Sequence, residues 1–144
     1  MRLSRTLVAV FVILLAAAAS AQAAPITLTL VRTAVLFNDD PPGAPLPLGR
    51  TQYDSGNVVL NGQKIGEYLR VKPVNAAGIN AAAVTLTLFF PVSSGAPNSI
   101  TLQGAHDFNS GNESGSISAS SFPGLTGVAF TVAGSTSALT LQLP

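Results

Sequence analysis

The chain has 144 residues, of which 47% are hydrophobic and only 9% charged, with no cysteine and a single histidine. The missing thiols remove disulfides, thiol nucleophiles and thiolate metal sites, and one histidine leaves too few ligands for the usual transition-metal centres. Seven basic and six acidic residues give a net charge of +1, but Arg2 and Arg5 sit in an N-terminal leader, so residues 24–144 carry five basic against six acidic groups and offer no electrostatic surface for nucleic acid.

The leader is MRLSRTLVAVFVILLAAAASAQAA. A basic start, an apolar run from Leu7 to Ala19 and the small-residue exit Ala21-Gln22-Ala23 read as a cleaved signal peptide over residues 1–23. The apolar run is short of the ~20 residues a membrane span needs. The expectation is a secreted protein, extracellular or periplasmic, with no membrane insertion after cleavage and one domain over residues 24–144.

Ile26 to Ala34 alternates, with Ile26, Leu28, Leu30 and then Arg32 on one face, as a half-buried strand does. Residues 38–49 hold four prolines and read as an irregular loop, either a plain connection or a lid over a cavity mouth. Asn57–Leu60 and Gln63–Lys72 flank Asn61-Gly62, the dipeptide that suits the positive φ angles of a two-residue hairpin turn. In the second arm Glu67 falls on the face of Leu69 and Val71, opposite Tyr68, Arg70 and Lys72.

Ala81 to Phe90 is a strongly apolar strand ended by Pro91, with Val84, Leu86, Leu88 and Phe90 on one face. Ser99 to Asp107 places Ile100, Leu102, Gly104 and His106 together, and Asn109 to Glu113 turns the chain. Alternating segments at Ser114–Ser120, Val128–Ala133 and Thr136–Leu143 complete eight candidate strands without a helix. The fold class is therefore all-β, and short strands at this spacing imply a sandwich or a barrel.

Tyr53 to Tyr68 (YDSGNVVLNGQKIGEY), Asn98 to Gly104 (NSITLQG) and Leu125 to Leu143 (LTGVAFTVAGSTSALTLQL) resemble segments of the allene oxide cyclase/dirigent barrel superfamily. In that group a strand, an Asn-Gly or Asp-Gly turn and a K-x-G arm precede an apolar strand, and a G-x-I-x-x-Q-G strand follows. The closing segment departs from the group's G-G-T-G-x-F pattern, because Gly134-Ser135-Thr136-Ser137 has no aromatic after it. The resemblance implies an eight-stranded antiparallel barrel with an apolar cavity, homo-oligomeric and often trimeric, that steers an apolar small molecule without a cofactor.

Two residues stand as catalytic candidates. Glu67, on an apolar face, would be a buried carboxylate able to act as acid or base; its ordinary alternative is a solvated side chain near the strand end, or one paired with Arg70 or Lys72. His106 would be a base or donor at the rim, and its ordinary alternative is a structural hydrogen-bonding group. Arg32 is a candidate partner for Glu67 or Asp107. With Tyr53, Leu86, Leu88, Phe90, Leu102 and Gln103 it makes up the expected ligand contacts. No metal is expected. Three functions remain open: a cofactor-free cyclase or isomerase, a carrier of hydrophobic molecules, and a structural barrel filled by side chains.

Overall fold

Alternation of apolar with small polar residues is realised as eight antiparallel strands: β1 (Ile26–Asp39), β2 (Arg50–Leu60), β3 (Gln63–Pro73), β4 (Ala81–Phe90), β5 (Asn98–Asp107), β6 (Glu113–Ser120), β7 (Ala129–Val132) and β8 (Ala138–Gln142). The structure is a computed structural model and describes residues 24–39, 50–74, 79–92, 97–134 and 138–143. The expected signal peptide and most of the Pro-rich loop lie outside these residues. Each strand pairs with its neighbours in sequence, and β8 pairs with β1 to close the barrel.

Asn61 and Gly62 both take positive φ (50° and 79°), the turn their side chains predict. β1 and β2 run beyond the expected ends of these strands. β1 continues to Asp39 and β2 begins at Arg50, so the two form an arm that pairs from Ala34↔Ser55 to Asp39↔Arg50. A bulge between Arg32 and Ala34 precedes that arm. Because a bulge adds one residue to one strand, it exchanges the faces of everything after it.

One face of each strand fills the lumen. Leu28, Leu30, Val58, Leu86, Leu88, Phe90, Ile100, Leu102, Phe130, Leu139 and Leu141 are almost wholly buried in a single apolar cluster. An eight-stranded barrel has an interior just wide enough for side chains to fill. At the end holding the β2–β3 turn, Phe90 packs on Phe122 at 5.8 Å between ring centres. At the other end the lumen changes character, and Asp54, Arg70, His106 and Glu113 are buried there.

Gly104 and Gly115 face one another across β5 and β6. A Cβ on either would be driven into backbone of the opposite strand, at Ser114 for Gly104 and at Gln103 for Gly115. The close approach of these strands thus depends on two absent side chains. Gly104→Ala is expected to lower the free energy of unfolding by roughly 2 kcal/mol or more, read by urea denaturation.

Candidate functional site

The polar end of the lumen is assembled from five strands. Asp54 on β2 is wholly buried and accepts from Arg70 Nη2 at 2.6 Å and Nε at 3.2 Å. The same carboxylate accepts from Arg32 Nη2 at 3.0 Å and from Gln52 Nε2 at 2.8 Å. Arg70 also turns Nη1 toward Glu113 Oε2, 3.5 Å away, and His106 Nδ1 approaches that oxygen at the same distance. The chain of polar groups Arg32–Asp54–Arg70–Glu113–His106 therefore crosses the lumen from β1 to β6.

Local sequence explains the placement. Asp54, Gly56 and Val58 share one parity on β2, so the inward Val58 carries Asp54 inward with it. Register then sets Arg70 opposite Asp54, and Lys72 opposite Gln52. Glu113 sits opposite His106 at the start of β6.

Burial pushes the Asp54 carboxyl up, but the hydrogen bonds from Gln52 and Arg70 and the two guanidinium charges outweigh it, leaving Asp54 below the usual carboxylate range. Burial, and next the Lys72 charge, hold the His106 imidazole below its ordinary value, with Glu113 pulling the other way. Burial and the charge of Arg70 likewise lower Lys72, while burial raises Tyr68.

Two features set this end apart from a fully satisfied salt-bridge network. Glu113 is 1% exposed, yet among the described residues neither of its carboxylate oxygens has a hydrogen-bond partner, and His106 Nδ1 is equally unpartnered. Buried polar atoms left unpaired are uncommon and costly. Beside them lies a cavity of about 210 Å³ lined by Arg32, Arg70, Lys72, His106, Gly111 and Gly134. Among the described residues Lys72 makes no ion pair.

The sequence expectations divide on this geometry. His106 and Arg32 are in the site, although Arg32 bonds Asp54 rather than Glu67 or Asp107. Asp107 binds its own turn through Asn109 and Ser110. Leu86, Leu88, Phe90 and Leu102 do face inward, but as closed apolar core.

Glu67 is a correction. Its side chain is 65% exposed and pairs with Lys64 at 3.2 Å, and it borders an outer groove of about 330 Å³ with Phe89, Pro91 and Pro97. The lumen takes the opposite face of β3, because Asp54 and Glu113 neutralise Arg70 there. Gln103 is exposed on the outside of β5, and Tyr53, between inward Gln52 and Asp54, is on the outer face of β2. Asp54, Arg70, Lys72 and Glu113 are the residues that sequence reasoning missed. The parity of Val58 and of Gly115 with Ile117 was the available signal for the two carboxylates.

No protein-family model, curated protein or solved structure matches the chain. Among the described residues, no group of three or more His, Cys, Asp or Glu side chains converges.

Replacing Arg70 by Met leaves Asp54 and Glu113 as buried charges without their main partner. The expected loss is roughly 3–5 kcal/mol of stability, measured by urea unfolding, against less than about 0.5 kcal/mol for Glu67→Gln. The His106 shift also has a signature. With its folded pKa below 6.5, the unfolded chain binds the proton first, so stability is full above that value and falls as pH drops below it. Melting temperature should decline between pH 7.5 and 5, and His106→Gln should flatten that decline.

Proposed function

We propose that this protein is a secreted barrel that binds an apolar small molecule carrying an anionic end. The carrying observation is the cavity lined by Arg32, Arg70 and Lys72; the apolar wall assigned to it lies outside that lining, on the β1–β2 arm. Arg32 and Arg70 are already shared with Asp54, whereas Lys72 makes no ion pair among the described residues. Burial, and next the like charge of Arg70, disfavour the Lys72 ammonium, and a bound anion offsets both costs.

The wall comes from the β1 bulge. Val35 lies opposite Asp54 and Phe37 opposite Gln52, and directly paired residues share a face of the sheet. Val35 and Phe37 thus stand on the lumen side, in the same rows as Asp54–Arg70 and Gln52–Lys72, and are 41% and 50% exposed. A ligand with its charge on Lys72 has apolar surface waiting beside it.

Carriage is the reading this supports. The likeness to the allene oxide cyclase/dirigent group fits a barrel of this kind, and a cofactor-free isomerase would have to work from His106 and Glu113 instead of Glu67.

Octanoate is the probe of choice. It is expected to bind by titration calorimetry, to weaken about tenfold or more in Lys72→Met through loss of a charge-assisted contact, and to weaken in Phe37→Ser. Leu36→Ser, on the outer face of the arm, should leave binding unchanged. Octanol binding as tightly as octanoate would overturn the proposal.

A further inference from the structure

The cavity's side chains are unbalanced in hydrogen-bonding type. Arg32, Arg70 and Lys72 can only donate, and among the described residues His106 is the one lining side chain able to accept. Which nitrogen accepts is decided by Glu113. His106 Nδ1 is sealed from solvent and faces Glu113 Oε2 at 3.5 Å. A carboxylate only accepts, so a bare Nδ1 lone pair would face it repulsively, whereas Nδ1–H faces it favourably. Phe108 packs edge-on against the imidazole at 4.9 Å between ring centres and fixes the ring. With Nδ1 turned inward, the ring edge left for the cavity is the one that carries Nε2.

We infer that His106, held as the Nδ1–H tautomer by Glu113, presents Nε2 to the cavity as a hydrogen-bond acceptor, so that the ligand carries a hydroxyl close to its anionic end. The inference rests on the organic-anion reading and narrows its chemical class from an anion to a hydroxylated anion. His106 contacts the ligand, and Glu113 is a positioning residue. A ligand without the hydroxyl leaves Nε2 unpaired in a closing site, the circumstance in which polar sites discriminate most strongly. The groups that face His106 are Glu113 from β6 and Arg70 and Lys72 from β3; burial, and next the Lys72 charge, hold the imidazole below its ordinary value.

The chain's single histidine makes the test direct. Long-range ¹H–¹⁵N spectra of the labelled protein at pH 8 should show a protonated Nδ1 and a bare Nε2. Glu113→Gln, whose amide oxygen still accepts, should keep that tautomer, and Glu113→Leu should move the population toward Nε2–H. An Nε2–H tautomer in the unaltered protein would overturn the inference.

The second arm compares octanoate with 2- and 3-hydroxyoctanoate by calorimetry. At least one hydroxy acid should bind about tenfold tighter than octanoate, the worth of one satisfied buried acceptor, and His106→Phe should bring that ratio close to one. Equal affinity for all three acids overturns the hydroxyl inference and leaves the anion reading standing. Failure of all three to bind overturns the anion reading, and the hydroxyl inference with it, whatever the tautomer.

Discussion

The guanidinium of Arg70 and the carboxylate of Asp54, 2.6 Å apart inside the barrel, decide how the polar end of the lumen is built. Neither group could be buried alone, since an isolated charge in a dry interior costs several kcal/mol. Together they let β2 and β3 carry charge inward, and their geometry fixes which face of β3 is inside. Glu113 and Arg32 extend the pair on either side. The remaining polarity follows: His106 has a carboxylate beside it, and Lys72 lies next to a guanidinium and, among the described residues, makes no ion pair of its own.

The lumen is thus divided along its axis. One end is leucine and phenylalanine packed in contact, and it supplies the hydrophobic stabilisation that a cysteine-free domain needs. The other end gives up part of that stabilisation for a charged network with unsatisfied atoms. Proteins tend to accept such local costs where they bind or react. The contrast between a closed apolar half and an incompletely satisfied polar half is the physical reason to place function at the His106 end rather than among Leu86, Leu88 and Phe90.

Much of the architecture was legible in the sequence because a small barrel enforces strict alternation. Val84 to Phe90 and Ile100 to His106 have the faces that their periodicity predicts, and Asn61-Gly62 turns as its chemistry requires. The strand ends were less legible. β1 runs to Asp39 because pairing with β2 outlasts the clean alternation, and a bulge there leaves no mark in composition. β3 misled for a different reason. Its outward residues Leu69 and Val71 look like core and its inward residues Arg70 and Lys72 look like surface, so hydrophobic pattern gave Glu67 the wrong side. Only the long-range partner Asp54 resolves that inversion, and pairing across strands is not written in either segment alone.

The nearest-neighbour order of the strands bears on how the molecule forms. Seven of its eight seams join consecutive strands, so most pairing can proceed hairpin by hairpin with short loop closures. The eighth, between β1 and β8, joins the two ends of the domain through only four residue pairs, Ile26↔Leu141 to Thr29↔Ala138. Contacts of that sequence separation are the slowest to establish. The barrel has a built-in latch between its first and last strands, the seam expected to close last in folding.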